Sequence, residues 1–263
     1  MSPPFRLLAP RPRSIQRDIF DLVLADGRRI SVLRVRDPRA RRIKLSVDER
    51  GARLTLPSRA SLATAERFAR EHREWLAGQL DRLERDMPAG LQRNETASLP
   101  LRGLEVPLRW AHGRFTRLIP GDGELVLSLP AQAGPAAISR ALHDFYEAQA
   151  RADVGRWLPG YLPGLPRAPR RIRFKTMSSQ WGSLAPDGTV ALDLSLVLAR
   201  PSAFEYVLVH ELCHLLHHDH SPAFWEAVED RCPAWRAERD YFRAEGRRLK
   251  GTLRALLQPP GAA

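Results

Sequence analysis

From Asp18 onward the chain runs in short alternations of apolar and polar residues. Ile19-Phe20-Asp21-Leu22-Val23-Leu24 and Ile30-Ser31-Val32-Leu33-Arg34-Val35 flank Ala25-Asp26-Gly27-Arg28, which predicts a β-hairpin. Residues 43–47 and 52–56 alternate on either side of Glu49-Arg50-Gly51 and predict two more strands, closed by Pro57. Residues 61–83 read as one helix, with Ser61 as N-cap and Phe68, Trp75, Leu76, Leu80 and Leu83 supplying most of an apolar stripe. Residues 87–98, punctuated by Pro88 and Gly90, read as a linker. A second β-rich stretch follows at residues 99–110, 114–119 and 124–129, broken by His112-Gly113 and Gly121-Asp122-Gly123. A helix is expected from Pro135 to about Trp157, with Ile138, Leu142, Phe145 and Tyr146 inward. After a Pro- and Gly-rich loop at 159–169, strands are expected at 171–175 and 189–194, the second preceded by the turn Pro186-Asp187-Gly188.

Residues 204–218 then repeat with helical spacing. Phe204, Leu208, Leu212, Leu215 and Leu216 fall on one face, and His210, Glu211, His214, His217 and His218 on the opposite one. Ser221-Pro222 supplies an N-cap and N1 pair for a following helix, so a break is expected near Asp219-His220.

Composition narrows the class. A chain of 263 residues with 43% hydrophobic content suits one large domain or two smaller ones. The expected division is a basic tail at 1–16, hairpins plus a helix at 17–86, and the remainder at 98–263. No apolar run reaches the roughly 18 residues that a membrane span needs, and the Pro- and Arg-rich start lacks the apolar stretch of a secretory signal. Cys213 and Cys232 are the only cysteines, which implies no disulfide framework and fits a reducing cytoplasm. The net charge of +12 is almost all arginine, since only Lys44, Lys175 and Lys250 are lysines. It points to DNA or another polyanion as a partner, or to arginine usage in the genome.

The chemistry is concentrated in His210-Glu211-Leu212-Cys213-His214. Two imidazoles one helical turn apart can share one ion, and Glu211 stands beside them within reach of water on that ion. The motif is short, and the bland reading is a pair of exposed helix histidines. A catalytic Zn2+ takes three protein ligands and keeps one position open, so a third ligand is needed. His217 shares the helix face, but three turns of one straight helix seldom converge on one ion. His220, placed after the break, returns more easily and is the expected third ligand. Glu226, Glu229 or Glu238 could instead supply a carboxylate. His217 and His218 are then solvated or beside the ligands, Asp219 orients a ligand imidazole, and Cys213 lies off the ligand face as a small buried residue. Trp181-Gly182 reads either as a large ring beside a close backbone approach or as a core tryptophan and a turn glycine. The strands just ahead of the metal helix are where an extended peptide could add by β-pairing.

Lys175 to Ser183, Tyr206 to His214 and His220-Ser221-Pro222-Ala223-Phe224-Trp225 together resemble the YgjP-like metal-dependent hydrolases, related to the SprT-like and broader zincin metallopeptidases. The likeness extends more loosely to the N-terminal strands, to Leu101-Arg102-Gly103 and to the helix near Tyr146. It implies His210, His214 and His220 as ligands of one zinc ion and Glu211 as the catalytic base. Three positions depart from the family pattern and bear on substrate preference: Leu184 where Cys is frequent, Gln180 where a basic residue is common, and Asp193 in place of Asn. The spacing from His210 to His220 also equals that of metzincins. However, His217 holds their glycine position and no methionine follows Met177. The resulting expectation is an α+β fold, with N-terminal β-rich segments and a long helix ahead of a zincin-like catalytic part. The expected activity is zinc-dependent cleavage of a protein or peptide, without membrane association. The alternatives are a metal-dependent nucleotide phosphohydrolase (a nucleoside triphosphate pyrophosphatase) and a basic DNA-associated protein with structural zinc.

Overall fold

The computed structural model describes residues 14–48, 51–86 and 90–258. Most of the expected tail, Glu49-Arg50 of one expected turn and Pro88 of the expected linker lie outside the described residues. The fold is α+β and divides into two compact units, Met1–Asp86 and Met87–Ala263.

In the first unit β1 (Gln16–Val23), β2 (Arg29–Arg36), β3 (Lys44–Asp48) and β4 (Gly51–Leu56) form one sheet in the order β1-β2-β4-β3. The hairpin forms as its alternation predicts, turning through Gly27 at φ 86°, a conformation that costs glycine little. β2 and β4 pair in parallel. Against the sheet pack α1 (Leu62–Glu71) and α2 (Arg73–Asp86), and Ala65, Ala69 and Leu76 are sealed against Val32, Leu54 and Leu56. Ser61 caps α1 as expected, its side chain accepting from the Thr64 amide at 3.0 Å. The single helix expected at 61–83 is divided at His72, whose φ of −103° and ψ of 18° end α1. The break resets the helical phase. Leu76 and Ala77 therefore turn inward, and Trp75, expected in the apolar stripe, stays 45% exposed.

The second unit opens with β5 (Ser98–Leu101), β6 (Leu104–His112), β7 (Arg117–Pro120) and β8 (Leu125–Leu129), ordered β5-β6-β8-β7. The strand expected at 99–110 is two strands, because Arg102 (φ 54°) and Gly103 (φ 80°) turn the chain between them. Their amides donate to the carbonyls of Val197 and Leu198, each at 2.9 Å, and a Cβ on Gly103 would lie 3.2 Å from the Arg200 Cα. A long helix follows, α3 (Pro135–Tyr161), burying Ile138, Leu142, Phe145 and Tyr146 as its spacing predicts and running past its expected end. Next come β9 (Arg171–Lys175), β10 (Gly182–Leu184) and β11 (Thr189–Asp193), ordered β10-β11-β9, then a 3-10 turn at Leu194–Leu198. The chain ends in α4 (Pro201–Cys213), α5 (Pro222–Arg231) and α6 (Trp235–Leu257). Among the described residues no helix is long and apolar enough to cross a membrane.

α4 lies at the centre of this unit. Ala203, Phe204, Tyr206, Val207, Leu208, Val209, Leu212 and Cys213 are all buried, so the helix is enclosed on nearly every side. It is not the amphipathic surface helix its spacing suggests. A helix apolar all round belongs inside a core, and here its histidines face a cleft instead of open solvent.

Candidate metal centre

α4 ends earlier than the sequence implies. His214 is its C-cap, and the amides of Leu215, Leu216 and His217 fold back onto the carbonyls of Leu212 and Cys213 at 2.9–3.0 Å. His217 and His218 are therefore off the helix and do not share a helical face with His210. His217 contributes its backbone carbonyl, which lies 3.1 Å from His214 Nδ1. A proton on Nδ1 donated there fixes the ring and leaves Nε2 as the lone-pair nitrogen. Asp219 accepts from the Ser221 amide at 3.3 Å and helps shape the turn, where an imidazole partner was expected.

Ser221 caps α5, its hydroxyl accepting from the Phe224 amide at 3.4 Å. His220 is thus the residue before the cap and Trp225 the fourth residue of the helix. Those two positions pack together in many helices and set the angle at which the chain enters. Here the His220 ring stacks on Trp225, with centroids 5.7 Å apart and planes at 30°. Trp225 stacks in turn on Trp235 at 4.4 Å, while Phe224 stacks on His214 at 4.5 Å. This aromatic packing holds His220 over the end of α4, with its Nε2 3.1 Å from His210 Nε2.

His210, His214 and His220 form the one metal-type cluster among the described residues, with one ring nitrogen from each lying within 4.8 Å of the other two. Two nitrogens bound at 2.0–2.1 Å to one tetrahedral zinc are about 3.3 Å apart, so the residues present fit such an ion. Burial pushes the His210 imidazole down to about 3 and lowers His214 as well. Both rings are therefore neutral near pH 7, the form that donates a lone pair to a metal. The alternative carboxylates are not in the cluster: Glu229 is paired with Arg236 at 2.7 Å and Glu238 with Arg200 at 2.9 Å, and Glu226 is likewise absent. Cys213 is wholly buried, with its sulfur toward the Ala227 carbonyl.

Glu211 is 5% exposed, and burial raises its carboxyl to about 7. Its side chain lies against Gly182 of β10. A Cβ at that position would sit 2.5 Å from both Cγ and Oε1 of Glu211. The close backbone approach read at Trp181-Gly182 is therefore an approach to Glu211. Trp181 itself packs on Phe242 with centroids 4.4 Å apart, in space that Gly246 of α6 leaves open.

These residues line a cleft of about 620 Å³. One wall is β10, the terminal strand of its sheet, and the other includes Tyr206, Arg239 and Arg243. Burial pushes the Tyr206 phenol up to about 12, so it stays protonated near neutral pH. Neither arginine was legible in the sequence. Their spacing of four places them on one face of α6, but in a chain with 42 lysines and arginines such a face carries no signal.

A family model described as YgjP-like, metallopeptidase domain, matches residues 41–245. The crystal structure of the metallopeptidase zymogen abylysin from Pyrococcus abyssi is similar at 23% sequence identity and a TM-score of 0.27, over 40% of this chain and 92% of that one. No curated protein matches.

Proposed function

The chain belongs to the YgjP-like metallopeptidase family, and from that premise we propose that it is a zinc-dependent peptidase. His210, His214 and His220 would hold the ion, and Glu211 would act as general base. The observation that carries this reading is the meeting of three imidazoles and one buried carboxylate in a single cleft. A bound zinc ion supplies Lewis-acid polarisation of the scissile carbonyl and makes water acidic enough to be deprotonated near pH 7.

The rest is the work of this chain's own residues. Glu211, with a carboxyl raised to about 7, is matched to taking a proton from the attacking water and returning it to the leaving amine. Gly182 lets that carboxylate lie against the strand. β10 has one edge paired with β11, and its residues line the cleft. An extended peptide can add to the other edge through main-chain hydrogen bonds, which supports a peptide substrate.

The test is metal content together with turnover. Purified protein is expected to hold one zinc per chain. Glu211→Gln is expected to keep the metal and lose cleavage of a peptide library by about 10²- to 10⁴-fold. Protein without stoichiometric metal, or a Glu211→Gln variant as active as wild type, would overturn the reading. Arg239 and Arg243 in the cleft favour a second reading, a nucleotide phosphohydrolase. Its signature is nucleoside triphosphate turnover that responds to the same substitutions while peptides remain intact.

A further inference from the structure

The arginines flanking Arg239 on α6 are each engaged by a carboxylate of this chain. Arg236 holds Glu229 and Arg243 holds Asp240, both at 2.7 Å. Arg239 differs. Among the described residues no carboxylate lies within 4.0 Å of it. Its guanidinium carbon lies 5.5 Å from the Trp225 ring centre and 6.0 Å from that of Trp235, while Arg236 also approaches Trp235, at 4.5 Å. A cation–π contact holds a guanidinium by its charge without using its N–H donors, which stay able to bind a carboxylate.

The position of this fork matters. Trp225 is also the ring on which His220 stacks, so Arg239 is held one aromatic layer from the histidine cluster. It lines the same cleft as β10 and Glu211. The carboxylate of Glu211 is taken up at depth, against Gly182. The cleft rim on the α6 side is therefore cationic.

Resting on the peptidase reading, we propose that Arg239 docks a carboxylate of the substrate, so that the preferred substrates are acidic peptides with Asp or Glu within a few residues of the scissile bond. A guanidinium fork matches a carboxylate with two parallel N–H···O bonds, whereas a neutral amide of the same shape accepts through only one oxygen. The same chemistry could come from the C-terminal carboxylate of a short peptide.

The experiment uses the full chain loaded with zinc and peptides acetylated and amidated at their ends. Pairs differ only in Glu or Gln at each position within about four residues of the cleavage point, with a third set carrying a free C-terminus. One charge-assisted contact is worth about 10- to 100-fold in kcat/KM, expressed mainly in KM. Arg239→Gln is expected to abolish the preference, and Arg239→Glu to transfer it to an added peptide with Lys in place of the Glu. A preference for the free over the amidated C-terminus that Arg239→Gln removes, with no Glu/Gln difference, supports the docking role and assigns the carboxylate to the chain end. Binding of the same labelled peptides to Glu211→Gln protein, read by fluorescence anisotropy, gives the second measurement. Tighter binding of the Glu peptide without turnover by wild type supports Arg239 and overturns the peptidase reading. Turnover and binding that ignore both the Glu/Gln difference and the state of the C-terminus, or a preference that survives Arg239→Gln, would overturn the inference and leave the peptidase reading in place.

Discussion

Lys250 Nζ of α6 lies 3.0 Å from Asp193 Oδ2, with both side chains almost wholly withdrawn from solvent. The ammonium also donates to the carbonyls of Met177 and Gln180 at 2.8 and 2.9 Å, which accounts for its three protons. Asp193 Oδ2 accepts from the Met177 amide at 2.6 Å, and Oδ1 from the Ser195 amide at 2.9 Å. One buried ion pair thus fastens the loop between β9 and β10 that carries Trp181 and leads into Gly182. Asp193, expected from the resemblance to stand in place of an Asn, meets a buried ammonium here.

Removing one member of that pair is expected to cost more than removing both. Lys250→Met leaves a buried carboxylate without its cation, a loss of about 3–5 kcal/mol. Asp193→Asn in the Lys250→Met background is expected to recover much of it. Urea unfolding of both single variants and the double variant measures the coupling, and additive losses would show that the pair does not act as a unit.

Gly182→Ala tests the contact between β10 and Glu211. The new Cβ would arrive 2.5 Å from Glu211 Oε1, so the carboxylate must move. Peptide cleavage is expected to fall by about 10²-fold or more, since small misplacements of a reacting group cost that much. Zinc content is expected to stay unchanged, because the three atoms nearest this Cβ all belong to Glu211. Parallel assays of kcat/KM and bound metal separate the two.

Trp225→Ala is expected to weaken metal binding without removing a ligand. His220 is held by its stack on that indole, at 5.7 Å between centroids. Loss of such support typically lowers metal affinity about 10- to 100-fold. Competition with a chelator measures the affinity, and Trp225→Phe, which keeps a ring face, is expected to lose less.

The raised carboxyl of Glu211 makes the stability of metal-free protein depend on pH. Its folded value of about 7 lies above the ordinary 4.5, so from pH 4.5 to 7 the unfolded chain releases a proton that the folded chain keeps. Stability associated with the protonated carboxyl is complete below pH 4.5 and is lost as pH rises through 7. Glu211→Gln removes this loss. In the presence of chelator the variant is expected to gain on wild type by up to about 3 kcal/mol between pH 5 and pH 8. Urea midpoints across that range supply the check, and a difference that does not change with pH would contradict it.

Much of the local structure was readable from residue order. The alternation at residues 19–24 and 30–35, the cap at Ser61, the inward set on α3 and the cap and N1 pair at Ser221-Pro222 all appear where the pattern places them. The spacing of His210 and His214 on one helix, and the return of His220 after a break, were equally legible, because a helical turn and a capped restart are short-range geometry. The end of α4 at Cys213 was not, since the histidine spacing continued the helical pattern beyond the point where the chain turned.

What residue order could not decide is which distant segments meet. The parallel pairs β2–β4 and β9–β11, the approach of Gly182 to Glu211, and the position of Arg239 on the Trp225 ring all depend on register between separate elements. Lys250 and Asp193 stand 57 residues apart, and nothing local distinguishes either from an ordinary charged residue. Hydrophobic periodicity says which face of an element turns inward, and says nothing about what it will face there. By itself, therefore, the sequence determined the elements and the chemical identity of the candidate metal site. Only tertiary packing decided how the carboxylate is buried, what holds the third histidine, and which cation waits at the rim of the cleft.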